Sequence, residues 1–334
     1  MESQYSEVKA LLSYPKDILL TSHRNPDGDA IGSTMALYHY LIGKGHTVRV
    51  AYPSEYPAAF TWVPAIDVVR NFDTHTEEVT SWIKHADIIF ICDYNALDRV
   101  DKMGDVMAKS SAKRVMIDHH LYPESCADYM FSTPEASSTC EMVFDFVVAL
   151  DGERGVAPNV GTCIYIGLVT DTGSFKFSTS PKLFRMVARL LEMGVEDTYI
   201  QDMIHNSETE KRLRLLGYCL FDCMEIIDEY NTGIISLSKK DYEDFDIQRG
   251  DTEGIVNYIL SIRSVRMVAF IMEQPNIVKL SLRSKGDFNV QEICREHFNG
   301  GGHKNASGGY SHASLNAVVR KFKEVLPRYK DKLA

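Results

Sequence analysis

No apolar run in this sequence approaches the ~20 residues that a bilayer-spanning helix requires. The opening residues, MESQYSEVKALLSYPKD, also lack a basic stretch followed by an apolar one. Neither a membrane span nor a secretory leader is therefore expected, and these residues read as a short amphipathic helix ending near Pro15. The cysteines, Cys92, Cys126, Cys140, Cys163, Cys219, Cys223 and Cys294, are odd in number and contain no C-x-x-C pair. A disulfide framework and a thiolate zinc site are thus disfavoured. Most of these cysteines sit in apolar runs such as IIFICD and GTCIYIG, which suits buried reduced thiols in a cytoplasmic protein. Positive charge is short as well, with 36 Lys and Arg against 46 Asp and Glu, a net −10. A broad footprint on duplex DNA needs many cationic contacts to phosphates, so duplex DNA is not an expected partner. A small phosphorylated substrate stays open, because a bound metal can supply positive charge locally. No internal repeat or low-complexity tract is visible.

What is present suits two domains: 334 residues, 45% of them hydrophobic. Apolar runs at Ile18–Thr21, Thr47–Tyr52, Ile88–Cys92 and Val115–Ile117 alternate with helical patterns, among them Ala30–Lys44. Short continuous apolar strands separated by helices predict a parallel sheet covered on both faces, with functional residues beyond the strands' carboxyl ends. Beyond Asp118 the pattern turns helical. Ser138 to Glu141 and Ser207 to Glu210 have capping-box spacing, the second opening a long connecting helix, SETEKRLRLLGYCLFDCMEII. Three strand-like runs, TGIISLS, VRMVAFIME and NIVKLSLRS, then precede a helix and the glycine-rich NGGGHKNASGG. The composition shift divides the chain into 1–190, a helical linker 191–229, and 230–334.

The chemistry gathers at the strand ends. His23, Asp27 and Asp29 form H-x3-D-x-D in a loop with Pro26 and Gly28; IIFIC ends in Asp93, RVMI in Asp118-His119-His120, and IYIGLVT in Asp171. Any one such Asp is more commonly a helix cap or turn residue. Four termini all ending in ligand-type residues are harder to explain by capping. Unneutralised, four carboxylates in one crevice would repel one another, whereas two divalent cations would balance them. Oxygen and nitrogen donors without thiolate suit Mn²⁺, with Mg²⁺, Fe²⁺ or Co²⁺ as alternatives. Two such ions are a standard device for phosphoryl transfer.

SHRNPDGDAIGS, ICDYN, IDHH and GLVTDTGSF resemble the successive motifs of the DHH phosphoesterases, and NGGGHKNASGG resembles the signature of the DHH-associated C-terminal domain. The likeness runs from Ser22 to Gly309 and is strongest to the oligoribonucleases of the NrnA type, which also dephosphorylate 3′-phosphoadenosine 5′-phosphate. It implies an α/β fold: a DHH domain with a mainly parallel sheet flanked by helices, the helical linker, and a smaller mixed-sheet α/β domain. It implies one metal on His23, Asp27 and Asp93 and a second on Asp29, Asp93, His119 and Asp171, with an activated hydroxide as nucleophile and no covalent enzyme intermediate. His120 would face the scissile phosphate and Asp118 would orient a ligating histidine. In the second domain, Gly300, Gly301, Gly302 and His303 would bind the substrate's far end, Gly300 having helix capping as an alternative use. Arg283 would bind phosphate or stand solvated at a strand end, and Arg99 would contact phosphate or make a surface ion pair. A homodimer rests on family analogy alone.

Three functions compete. The first is hydrolysis of short single-stranded oligonucleotides and small nucleotides. The second is hydrolysis of polyphosphate or a cyclic dinucleotide, less well matched by the modest basic content around the glycine-rich loop. The third is a nucleotide sensor without turnover, whose signature, a missing ligand, is absent.

Overall fold

The computed structural model describes residues 2–206, 209–248 and 250–333. Contacts divide it into two compact units, residues 1–207 and 208–334. In the first unit the strands are β1 (Asp17–Thr21), β2 (Thr47–Tyr52), β3 (Arg70–Asn71), β4 (Ile88–Cys92), β5 (Lys113–Asp118) and β6 (Tyr129–Ser132). They form one parallel sheet in the order β3-β2-β1-β4-β5-β6. The expected strands are all present; β3 and β6 are additions at the two edges, too short to carry a pattern in sequence.

Successive strand residues point to opposite faces, and each face has its own core. Ile18 and Leu20 of β1 and Phe90 of β4 pack with the helices α1 (Glu2–Leu11), α2 (Gly28–Gly43), α5 (Thr139–Asp151) and α6 (Pro158–Thr172). Leu19 and Ile89 pack on the other side, with α3 (Thr76–His85) and α4 (Lys102–Met107). Every residue of β4 is buried, which is why it reads as an unbroken apolar run. The chain winds outward from β1 through β2 to β3, then restarts on the other flank of β1 with β4. The order therefore reverses between β1 and β4, the position where open α/β sheets leave a crevice at their carboxyl ends.

After α7 (Pro181–Glu192) and α8 (Asp197–His205), the second unit begins with α9 (Glu210–Phe221). Residues 191–229 hold the end of α7, then α8, α9 and a strand. Ile200 of α8 joins the first unit's core, Leu215 of α9 joins the second's, and Met224–Ile227 forms β7, a strand that the sequence reading merged with the helix. Ser207 lies outside the described residues, and α9 is capped by the Thr209 hydroxyl, which accepts from the Arg212 N–H at 3.2 Å. The sheet here is mixed, adding β8 (Thr232–Leu237), β9 (Met267–Glu273), β10 (Val278–Ser284), β11 (Gly301–His303) and β12 (Ala306–Ser311) in the order β11-β12-β10-β9-β8-β7. Helices α10 (Lys239–Asp244), α11 (Ile255–Leu260), α12 (Val290–His297), α13 (Leu315–Val325) and α14 (Lys330–Leu333) complete it.

In the first unit α6 lies unusually close to α2 and α5. A Cβ on Gly32 would stand 2.5 Å from the Cys163 carbonyl oxygen, and one on Gly167 would stand 2.2 Å from Cys140 Sγ and 2.5 Å from Asp29 Oδ1. Gly43, on the same helix as Gly32, has open space around it. Gly32→Ala is therefore expected to destabilise the protein by about 1–3 kcal/mol through overpacking. Gly43→Ala should be neutral or stabilising by up to about 1 kcal/mol. Urea unfolding of the two full-length variants checks this; equal effects would show that the close approach is not tight.

Candidate active site

Three adjacent strands deliver the site. Leaving β1, the chain places His23 with its ring 8% exposed as a residue, and Nδ1 lies 2.9 Å from the Arg24 carbonyl, which leaves Nε2 free to face inward. Asp27 then caps α2: its Oδ1 accepts from the N–H groups of Asp29 and Ala30 at 3.0 and 3.1 Å. Capping and ligation, which compete in a sequence reading, are compatible here, because one carboxylate offers about four acceptor positions. Asp29 lies in the first turn of α2 and is 1% exposed. Its Oδ2 accepts from the Thr139 N–H at 2.6 Å and its Oδ1 from the Cys140 N–H at 2.9 Å, so the N-terminus of α5 closes on this carboxylate.

Asp93 follows β4 in the left-handed region, φ 63°, a conformation Asp tolerates better than most residues and which turns its side chain back over the strand end. Its Oδ2 is 3.4 Å from His23 Nε2, and its Oδ1 is 3.7 Å from both His119 Nε2 and His120 Nδ1. The two oxygens thus face different histidines. His119 Nδ1 lies 3.3 Å from the Ala136 carbonyl, and its Nε2 lies 3.4 Å from Asp171 Oδ2 and 3.9 Å from Asp29 Oδ2. Asp171 sits in the last turn of α6, where the helix dipole disfavours a negative charge.

Asp118 ends β5 fully buried, and its partner is His120 rather than His119. Oδ1 is 2.7 Å from His120 Nδ1, and Oδ2 accepts from the His120 backbone N–H at 3.1 Å. Two residues of separation let Asp118 grip His120 by ring and backbone together, and His120 is itself among the side chains that could hold a metal ion.

Electrostatics show what the cluster demands. Burial, with the Asp93 charge beside it, pushes the Asp29 carboxyl up to about 7, and burial together with Asp29 pushes Asp171 up to about 9. Burial alone would lower His23 and His119, but the surrounding carboxylates raise each to about 9. Asp93 goes the other way: burial opposes its ionisation, yet the hydrogen bond and charge of His23, with His120 and His119, hold it below the usual carboxylate range. Excess negative charge thus draws protons onto the cluster, the same demand that divalent cations meet. Three overlapping donor groups satisfy metal-binding geometry, each with its ligand atoms within 4.8 Å of one another: His23, Asp27 and Asp93; Asp29, His119 and Asp171; and Asp93, His119 and His120. Oxygen and imidazole donors without thiolate fit a hard or borderline divalent cation.

The remaining sequence candidates lie elsewhere. Arg99 is exposed on the 3₁₀ turn Leu97–Val100; its carbonyl accepts from the Arg24 N–H at 2.9 Å, and among the described residues its guanidinium makes no ion pair. In the second unit Arg283 is half-buried on β10, its Nη1 donating weakly to the Leu282 carbonyl at 3.4 Å, with burial lowering its pKa against the opposing charge of Glu253. The glycine-rich run is not a loop. Gly301, Gly302 and His303 form the exposed edge strand β11 paired with β12, while the Gly300 N–H bonds to the Cys294 carbonyl in the last turn of α12. Gly300 thus does serve the helix end. A Cβ there would stand 1.9 Å from the Gly308 carbonyl oxygen, so the hairpin also requires it.

Sequence reasoning read Ser138 and Thr139 as a helix cap whose placement after the Asp118-His119-His120 segment could bring them near the site, and the Thr139 hydroxyl donates to Asp93 Oδ1 at 2.9 Å. Ser138 does accept from the Glu141 N–H at 3.1 Å, but the Glu141 carboxylate accepts from the N–H and hydroxyl of Ser137, at 2.9 and 2.7 Å, instead of closing the expected box on Ser138. Lys182 draws it there, at 2.8 Å. His205, which has no partner in sequence, lies 2.6 Å from the Ser174 hydroxyl. His39 meets the Pro64 carbonyl and His46 accepts from the Lys16 N–H.

Comparison with known proteins agrees with this geometry. Residues 17–168 match the DHH family, N-terminal domain, and residues 232–329 match the DHHA1 domain. The bifunctional oligoribonuclease and PAP phosphatase NrnA of Bacillus subtilis is 27% identical over 308 residues, covering 91% of this chain and 92% of that protein. The crystal structure of an exopolyphosphatase-related protein from Bacteroides fragilis superposes with a TM-score of 0.97 at 37% identity, over 100% of this chain and 98% of that one. The structure of RecJ with Mn²⁺ from Thermus thermophilus shares the fold, at a TM-score of 0.60 and 14% identity, over 100% of this chain and 55% of RecJ. The chain belongs to the DHH family of metal-dependent phosphoesterases, with a DHHA1 domain following the DHH domain.

Proposed function

We propose that this protein hydrolyses very short single-stranded oligonucleotides and small phosphorylated nucleotides, with two divalent cations, foremost Mn²⁺. The observation that carries the reading is Asp93, whose two oxygens face His23 on one side and His119 on the other, so that one carboxylate can join two sites. His23, Asp27 and Asp93 would hold one ion, and Asp29, Asp93, His119 and Asp171 the other. Bound there, such ions supply Lewis-acid charge to a phosphate and make water a competent nucleophile near neutral pH. The relative from Bacillus subtilis, similar over nearly its whole length, supports the choice of substrates.

The chain's own residues orient and stabilise. His120 presents Nδ1 to Asp118 and would donate from Nε2 to a phosphate oxygen, which requires the doubly protonated ring. Asp118 fixes the ring plane. In the second unit, Arg283 has no carboxylate at ion-pairing distance among the described residues, so a phosphate would be a fitting partner. Gly300, Gly301, Gly302 and His303 offer backbone at an open sheet edge of the second unit, and Arg99 offers an exposed guanidinium beside the first unit's strand ends. Polyphosphate hydrolysis is the second reading, favoured by the likeness to the Bacteroides fragilis protein.

The test is Mn²⁺-dependent turnover of a matched panel: a 5′-phosphorylated dinucleotide, a long oligoribonucleotide, 3′-phosphoadenosine 5′-phosphate, cyclic di-AMP and polyphosphate. The dinucleotide and 3′-phosphoadenosine 5′-phosphate should lead, with Asp93→Ala silent on all. Polyphosphate in the lead would replace the substrate reading and keep the metal site.

Substitutions beside the site sort the roles. His120→Ala should lower kcat by about 10²–10³-fold, the usual loss for a donor to transition-state charge. Asp118→Asn should lower it by about 10–100-fold while leaving divalent-ion uptake as in wild type. Loss of ion uptake in either variant, measured by calorimetry, would instead make His120 a ligand.

A further inference from the structure

Thr139 touches two of the three carboxylates that lie within 4 Å of His119, those of Asp29 and Asp93. We infer that Thr139 is a positioning residue for the His119 half of the metal centre, an inference that rests on the two-ion reading above. Because Ser138 is the N-cap, the N–H groups of Thr139 and Cys140 are the first two of the α5 donors that lack partners within the helix. Both go to Asp29, at 2.6 Å to Oδ2 and 2.9 Å to Oδ1. The Thr139 hydroxyl goes to Asp93 Oδ1 at 2.9 Å.

The pairing is one-sided. Asp29 Oδ2 and Asp93 Oδ1, the two oxygens that Thr139 holds, lie 3.9 and 3.7 Å from His119 Nε2. His23 faces the other oxygen of Asp93, Oδ2, at 3.4 Å. Rotation of a carboxylate about its last torsion is soft, so an oxygen without a partner wanders in a broad well. A hydroxyl on one oxygen fixes the plane and settles which oxygen each histidine side receives. Thr139 is itself fully buried, and its turn is braced by the Ser138 and Glu141 bonds and by Lys182 from α7. The hydroxyl is thus held as firmly as the carboxylate it orients.

The test is Mn²⁺ uptake by metal-free, full-length wild type, Thr139→Val and Thr139→Ser, followed by calorimetry and by electron paramagnetic resonance. Wild type should take up two ions. Thr139→Val should keep one affinity and weaken the other by about 10–100-fold, and Thr139→Ser, which keeps the hydroxyl, should behave as wild type. In a His119→Ala background Thr139→Val should add no further loss, whereas in a His23→Ala background it should. A merely structural threonine would give the same loss in both backgrounds. The Mn²⁺ concentration for half-maximal activity should rise in Thr139→Val, with kcat largely recovered at saturation. Should Thr139→Val fail to fold by circular dichroism, Thr139→Ala is read in the same way. Wild type binding two ions with Thr139→Val unchanged overturns the inference; wild type binding none overturns the metal reading and this inference with it.

Discussion

Both oxygens of the buried Asp29 carboxylate are held by backbone N–H groups at the start of α5, and much of the first unit follows from that anchorage. Removing a carboxylate from water costs several kcal/mol unless it is paired and hydrogen-bonded. The N-terminus of a helix provides two aligned donors and a favourable dipole at once. To deliver them, α5 must begin within hydrogen-bond distance of the first turn of α2, which is itself capped by Asp27. Helix α6 must then pass close enough to bring Asp171 to His119, and it does so past Gly32 and Gly167, where no side chain fits. The helix packing, the glycines and the caps are answers to one problem of charge.

That same anchorage leaves the cluster incomplete by itself. One helix terminus and one hydroxyl do not neutralise four carboxylates, and the remaining demand appears as protons drawn onto Asp171, Asp29, His23 and His119. Asp171 makes the point most clearly, since it stands at the negative end of α6, where a helix gains nothing from an acidic residue. A residue placed against local preference, in a site that suits a divalent cation, is where consistency between levels is expected to fail for the sake of function.

Strand ends were legible because they follow buried runs whose length and composition are dictated by a sheet covered on both faces. Ile88–Cys92 needs no partner information to be read as a strand, nor Asp93 as its terminus. What stayed hidden depends on partners distant in sequence. The two residues of β3 and the four of β6 carry no periodicity, and β7 continues the apolar content of α9 without a break in pattern. The glycine-rich β11 and β12 have poor strand propensity, and form because β12 pairs with β10 and because Gly300 and Gly309 allow backbone to approach backbone. Thr139 and the grip of Asp118 on His120 are tertiary in the same sense: their residues were in view, but only the fold states which oxygen meets which donor.

A metal centre of this kind answers to phosphate and not to what the phosphate carries, so the fold and the donor set define a reaction class and leave the substrate to be chosen elsewhere. A net charge of −10 describes the surface as a whole and does not by itself choose among phosphorylated substrates. Within the second unit, Arg283 is half-buried on β10 and β11 is an open sheet edge, so the phosphate contacts proposed for them would be few. With recognition proposed to rest on few arginines and a stretch of backbone, such an enzyme would be restricted to the ends of the degradation ladder: the shortest oligonucleotides and the nucleotides that remain.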